Sequence, residues 1–285
     1  MPLKADLIVN PFSGGFNKEI IDKVHYILKE KFTFINLIYT NYAKHAEKLA
    51  SESKADIIFI AGGDGLINEV INGIVNRQCI IYPLAFGTAN VFCREYNIPV
   101  NPVKAAKKID ANDIYNIPLG KINDRIFVKM VGFGFDAAVV NNINYYLKKI
   151  NSKFAHILSG MQVLVKGNFK QFDLYVKSNK IHAYSLIISL GRKYAGNFNL
   201  VKQFFYNGFT ICVINNPKRT AILKNTFSIL LNKGVLGDVY LSDTIKVEGP
   251  TYCQIDGEYF GLTNSRCNID HIKSSFFLAS YSKYN

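Results

Sequence analysis

Residues 61–74 read AGGDGLINEVINGI, in which Gly62, Gly63 and Gly65 surround one acid, Asp64, between an apolar run and a helical pattern. Glycine lets the main chain approach a ligand closely. A helix that follows aims free N–H groups and the positive end of its dipole outward, and together these make an anion site. Asp64 would repel a phosphate unless a cation stood between them. Mg²⁺ carried by a nucleotide triphosphate resolves the conflict, because it takes oxygen ligands from carboxylate and phosphate together. The chemistry expected is phosphoryl transfer from Mg·ATP. Two further loops sit in the same strand–loop–helix setting, NPFSGG at 10–15 and PLAFGTAN at 83–90. Each alone reads more readily as a tight connection, but three on one sheet edge would form a pocket.

Other phosphate signatures are missing. The chain has no GxxxxGK[ST] and no HRD followed by DFG. GFGFDAAVV at 132–140 lacks the third glycine of a dinucleotide fingerprint and lies in a strand-rich stretch.

The elements that must carry these loops alternate over the first 120 residues. Strands are expected at 3–10, 32–40, 55–61 and 79–85, and helices at 17–32, 42–53, 66–75 and 89–96. Such alternation implies right-handed crossovers and a parallel α/β sheet, with ligands at the carboxyl ends of its strands. Beyond Pro118 the chain turns mostly β, with strand-like runs at 124–135, 171–178, 181–191, 208–215, 243–249 and 251–260, and helices at 151–167 and 216–234. A domain boundary is expected near 118–122. The helix at 216–234 offers Lys and Arg to an anionic surface, but its Ile222, Leu223, Phe227, Leu230 and Leu231 equally suit packing on the β domain, the reading preferred from sequence.

Bulk properties narrow the classes. The 285 residues are 49% hydrophobic, with 21 Phe and 17 Tyr, enough for a globular core. No apolar run reaches the roughly 20 residues of a membrane span, and no signal peptide is read. The five cysteines, 79, 93, 212, 253 and 267, form no CxxC, and the five histidines fall near none of them in a ligand pattern, so reduced cytosolic thiols are expected and a zinc site is not. The net charge of +13 favours polyanions, whether nucleic acid, an anionic membrane or a phosphorylated substrate, but lysines spread through the chain equally read as a solubilising surface.

Taken in order, NPFSGG, GGDGLINEVING, PLAFGTANVFCREYNIP, GFGFDA and QIDGE resemble the diacylglycerol kinase catalytic-domain family, which includes sphingosine kinases and soluble bacterial lipid kinases. The resemblance runs end to end. It implies an α/β N-terminal domain (1–118) of the kind shared by NAD kinase and diacylglycerol kinase, rejoined by 273–285, and a C-terminal β-sandwich lipid domain (119–272), with ATP held between them. By matching positions, Asn10, Pro11, Ser13, Gly14, Thr40, Gly62, Gly63, Asp64, Gly65, Asn68, Gly87 and Thr88 would line the nucleotide site. Glu69 would support the loop, and Asp64 would stand beside Mg²⁺. Glu258, the glutamate of DGE, would be the proton acceptor, although DG between two strand-like runs is also a turn signal. The partners implied are a lipid substrate and a transient, peripheral membrane surface in the cytoplasm, without nucleic acid; a homodimer is left open.

The chain departs from its relatives at Leu66, where most bacterial members have threonine, and at Val91, where aspartate is usual. Tyr206 and Asn207 stand in place of an acidic pair that holds a structural Mg²⁺ in some relatives, so that second metal site is not expected here. Two other readings stand beside the lipid kinase: an NAD kinase-like small-molecule kinase, and a silent lipid- or nucleotide-binding module.

Overall fold

A computed structural model describes residues 3–143, 152–166, 170–194, 198–201, 208–263 and 266–281. Tyr206 and Asn207 lie outside the described residues. The chain divides into two compact units, residues 1–117 with 273–285, and residues 118–272.

In the first unit β1 (Lys4–Val9), α1 (Lys18–Lys31), β2 (Phe34–Tyr39), α2 (His45–Glu52), β3 (Ile57–Gly62), α3 (Asp64–Ile74), β4 (Ile80–Ala85) and α4 (Val91–Glu95) follow one another. They are succeeded by α5 (Pro102–Lys108) and β5 (Ile109–Tyr115). The sheet order is β2-β1-β3-β4-β20-β5, where β20 (Phe277–Tyr281) runs parallel to β4 and antiparallel to β5. β3 is buried at every position, as a strand covered on both faces must be. α1 is capped by Asn17, whose side chain accepts the Ile20 N–H at 3.1 Å, and it buries Ile21, Val24 and Leu28. Burial of each such side chain contributes about 1.5–3 kcal/mol. α3 crosses α2 closely at Gly73, where a Cβ would strike the Glu47 carbonyl oxygen and the Ala50 methyl.

Because β1, β3 and β4 are parallel neighbours, the loops that follow them open on one edge. α3 begins at Asp64, two residues before the helix expected from periodicity, since Gly63 takes the N-cap position and the glycine run is absorbed into the first turn.

The second unit holds β6 (Pro118–Ile122), β7 (Arg125–Phe127), β8 (Met130–Gly134), α6 (Phe135–Asn141), α7 (Ser152–Lys166), β9 (Phe172–Val176), β10 (Asn179–Ala183) and β11 (Ser185–Ser189). After them come β12 (Lys193–Tyr194), β13 (Phe198–Asn199), β14 (Phe209–Ile214), α8 (Arg219–Leu230), β15 (Asp238–Ser242), β16 (Thr244–Glu248), β17 (Thr251–Ile255), β18 (Glu258–Thr263) and β19 (Cys267–Lys273). Two six-stranded sheets, β10-β9-β16-β19-β6-β7 and β15-β14-β11-β8-β17-β18, face each other across a core that includes Phe127, Phe133, Leu174, Leu186, Phe209 and Ile269. This is the β-sandwich expected of an α/β-plus-sandwich chain. α8 adds Ile229 to a smaller cluster with Met130, Ile187 and Cys212 on the other side of the second sheet.

The expected packing of α8 is corrected in part. Ile222 is buried and Leu230 half-buried, but Leu223, Phe227 and Leu231 are exposed. The inward face is completed instead by Asn225, Ser228 and Ile229. Among the described residues no helix is long and apolar enough to cross a membrane.

Candidate active site

The three glycine loops of the first unit meet. Gly15 N–H donates to the Phe86 carbonyl at 2.9 Å, and Phe86 N–H donates to the Gly62 carbonyl at 3.0 Å. Gly63 lies against Gly87 so closely that a Cβ on Gly87 would overlap the Gly63 Cα, and a Cβ on Gly14 would come within 2.9 Å of the Thr88 hydroxyl. The glycines are therefore required by the approach of loop to loop as much as by any ligand. Asn10 shapes the first loop: its Oδ1 accepts the Phe12 N–H at 2.9 Å and its carbonyl the Ser13 N–H at 3.2 Å. Pro11 occupies the turn, and Thr40, buried after β2, donates its N–H to Val9 at the end of β1.

At the start of α3 the cap residue, Gly63, has no side chain to satisfy the first-turn amides. The N–H groups of Gly65 and Leu66 have no acceptor within the helix, because the first intrahelical bond runs from Ile67 to Gly63. An uncapped N-terminus on a parallel-sheet edge suits a phosphate. Asn68 is buried, accepting from Asn72 at 2.9 and 3.0 Å through its carbonyl and Oδ1. Glu69 reaches across to α2 and accepts the Ala46 N–H at 3.2 Å, so it supports the neighbouring helix as a remote cap.

Asp64 has a main-chain task. Its Oδ2 accepts the Val91 N–H at 3.0 Å and its Oδ1 the Phe92 N–H at 2.8 Å. These are the first two amides of α4, whose own cap residue Asn90 sits in the left-handed region at φ 47° and gives α4 no side-chain bond. Asn90 instead closes its loop, accepting the Gly87 N–H and donating to the Gly87 carbonyl, both at 2.8 Å. Asp64 therefore staples the GGDG loop to the GTAN loop, its charge placed on the positive end of α4.

This explains two departures from the family pattern. Val91 contributes a main-chain N–H, which almost any residue supplies, and Leu66 is buried with its side chain packed against Gly62.

A Mg²⁺ arriving with a nucleotide fits this donor set. Among the described residues no three His, Cys, Asp or Glu side chains gather into a metal cage. Mg²⁺ is commonly held by one or two carboxylates plus substrate phosphates and water. Asp64 is the residue that would hold it.

In the second unit, QIDGE forms the hairpin between β17 and β18. Ile255 pairs with Glu258, and Asp256 and Gly257 take φ of 50° and 85°, as a two-residue type I′ turn demands. The turn reading and the functional reading of DG thus occupy different residues. Asp256 is buried and nails the turn to the β7–β8 connection, its carboxylate accepting from Val128, Lys129 and Met130 N–H at 2.8–2.9 Å. Gly257 N–H donates to Gln254 Oε1 at 2.7 Å, and Gln254 Nε2 donates to Asp136 Oδ2 at 2.7 Å. The Tyr194 hydroxyl donates to the other Asp136 oxygen. Burial, and then that carboxylate, hold the Tyr194 pKa far above its ordinary value. Glu258 stands exposed at the end of this tethered turn.

GFGFDA is therefore a structural seat. Gly132 leaves the space into which the Asp136 carboxylate and the Gln254 amide fit, and Gly134 at φ 70° turns β8 into α6. Sequence alone gives Asp136, Gln254 and Asp256 no role beyond their place in the motifs. The bond that joins Gln254 to Asp136 spans 118 residues and those that join Asp256 to 128–130 span 126–128, out of reach of any local pattern.

Residues 4–122 match the family described as diacylglycerol kinase catalytic domain. The diacylglycerol kinase of Staphylococcus carnosus (strain TM300) is 30% identical over 171 residues, 58% of this chain and 56% of that protein. The diacylglycerol kinase of Bacillus subtilis (strain 168) is likewise 30% identical over 171 residues, 56% of this chain and 55% of that one. The match spans little more than half of these relatives' length. A solved structure of a diacylglycerol kinase from Bacillus anthracis strain Sterne shares the fold with a TM-score of 0.81 at 22% identity, covering 99% of this chain and 98% of that one. A second from the same strain gives 0.82 at 23%, covering 99% and 96%. The stretch that carries the joined glycine loops is thus similar to the diacylglycerol kinase catalytic domain, and the fold of the whole chain is that of the solved diacylglycerol kinase structures.

Proposed function

We propose that this chain is an ATP-dependent lipid kinase that transfers the γ-phosphate of Mg·ATP to a hydroxyl of a lipid such as diacylglycerol, acting in the cytoplasm at a membrane surface. The observation that carries the reading is the meeting of three glycine loops at the carboxyl edge of one parallel sheet, beside the uncapped N-terminus of α3, in a stretch that matches the diacylglycerol kinase catalytic domain. The first unit is assigned to the nucleotide. The main chain around Asn10, Pro11, Ser13 and Gly14, and around Gly62–Gly65, Gly87 and Thr88, would bind and orient the phosphates, with Thr40 and Asn68 shaping the walls. Mg²⁺, when bound, would neutralise phosphate charge, with Asp64 as its protein ligand.

The second unit is assigned to the lipid, and Glu258 to the proton. A lipid hydroxyl is a weak nucleophile. A carboxylate within hydrogen-bond reach takes its proton as the oxygen bonds to the γ-phosphorus and the bond to the departing ADP breaks. Asp256 and Gln254 favour this role because they fix the backbone on which Glu258 stands.

The test is incubation with labelled ATP and Mg²⁺ and separate pools of diacylglycerol, phosphatidylglycerol, sphingoid base and NAD. Label is expected in a lipid and absent with Glu258→Gln, a loss of about 10²-fold or more for a missing general base. Label in NAD, or in nothing, overturns the lipid-kinase reading; undiminished transfer by Glu258→Gln overturns the base.

A further inference from the structure

α8 is apolar on both of its sides. Ile222, Asn225 and Ile229 face inward, while Leu223, Phe227 and Leu231, spaced by four residues, form an outward stripe with Leu236 just beyond the helix. Phe227 is 56% exposed, Leu231 63% and Leu236 62%. A helix on a soluble surface ordinarily turns its polar side outward, and a cluster of large exposed apolar side chains marks an interaction surface. α7 lies alongside α8 and exposes Met161 and Val165 in the same manner.

The charges carried by the two helices are of one sign, and the nearest acid in sequence, Asp238, is held by the Asn215 amide at 2.9 Å. Residues 216–237 contain Lys218, Arg219, Lys224 and Lys233 and no acid, and 152–166 likewise contain no Asp or Glu and end on exposed Lys166. We infer that α8, with its neighbour α7, is the face that docks on an anionic lipid bilayer, the outward stripe entering the headgroup–acyl boundary and the lysines meeting lipid phosphates. A second copy of this chain is the poorer occupant. A two-fold contact sets a patch against itself, and here it would bring lysine onto lysine. The inference rests on the proposed lipid-kinase function for the choice of partner.

The test separates docking from turnover. Sedimentation with phosphatidylcholine vesicles containing phosphatidylglycerol should retain the protein, and pure phosphatidylcholine should not. Leu223→Asn with Phe227→Asn should lower vesicle partitioning at least tenfold, and Lys224→Gln or Lys233→Gln about fivefold each, with raised salt acting in the same direction. The lysine variants leave the apolar packing intact, so they carry the test if the asparagine pair does not fold. Phosphorylation of a soluble short-chain diacylglycerol should be unchanged in every variant. Equal partitioning of variants and wild type overturns the docking face, as does a wild type that elutes as a dimer and becomes monomeric with the asparagine pair. Vesicle binding without transfer to any lipid supports the face and overturns the lipid-kinase reading.

Discussion

Asp64→Asn separates the two tasks that the acid of GGDG performs. In the folded chain each carboxylate oxygen takes one α4 amide, at 3.0 and 2.8 Å. Asparagine keeps one acceptor and turns an NH₂ group toward the other N–H, so one bond is lost and a donor meets a donor. A hydrogen bond to a charged group contributes about 1.5–3 kcal/mol, and the carboxylate's favourable place at a helix N-terminus about 0.3–1 more. Asp64 is only half-buried, which favours the lower end, and the expected loss is about 2 kcal/mol. For a unit of this size that is a fall in Tm of roughly 4–10 °C. The assay is thermal or urea unfolding in chelator, without nucleotide. Were Asp64 merely a metal ligand, removing its charge there would leave stability unchanged or improve it. An unchanged midpoint for Asp64→Asn in chelator therefore refutes the staple. Loss of activity alone decides nothing, since both roles predict it.

Gly73→Ala should cost about 1–3 kcal/mol, because its methyl would strike α2 at Glu47 and Ala50; a urea midpoint equal to wild type would show that the helices part freely. All five cysteines are buried and none forms a disulfide, and burial pushes Cys79 up to about 11, Cys212 up to about 12, and Cys253 and Cys267 upward. A thiol reagent at pH 8 should label none of them in the native protein and all five after unfolding. Hydrogen bonds from Lys246 and then Arg266 hold Glu248 at about 2, below its ordinary 4.5. A depressed carboxylate stabilises fully above its unfolded value and loses that contribution as pH falls through its folded one. Stability should thus decline from about pH 4.5 toward 2, less steeply in Glu248→Gln and less in high salt. An acid slope identical in Glu248→Gln rules out this contribution.

The first unit was legible in sequence where each element satisfied one demand. Parallel strands buried on both faces read as unbroken apolar runs, and helices with one buried stripe read by period. β5 and α5 are not legible in this way because neither has such a pattern. α5 buries only two alanines, and β5 alternates weakly on a sheet edge. In the sandwich the run 181–191 read as one strand but is two. The chain passes from β10 in one sheet to β11 in the other at Tyr184, and apolar character continues across the break because both strands feed the same core. Residues 251–260 divide at Asp256–Gly257 for the opposite reason, a turn whose positive φ angles the DG pair had already announced.

The site was legible as glycines and obscure as carboxylates. A glycine required for close approach shows itself by its type, whereas an aspartate's role depends on which donors surround it. Asp64, Asp136 and Asp256 each meet their donors across long stretches of chain, and all three serve main-chain or side-chain amides. Glu258 differs from them in being exposed, on a turn that the buried acids hold still. That contrast bears on function. Of the two acids of QIDGE, Asp256 is already bound by three amides and acts through position, whereas Glu258 is accessible and is the one the proposed function gives the proton. Glu258→Gln should therefore remove transfer and spare folding, while Asp256→Asn, which disturbs three N–H bonds to a buried carboxylate, should fail first in stability.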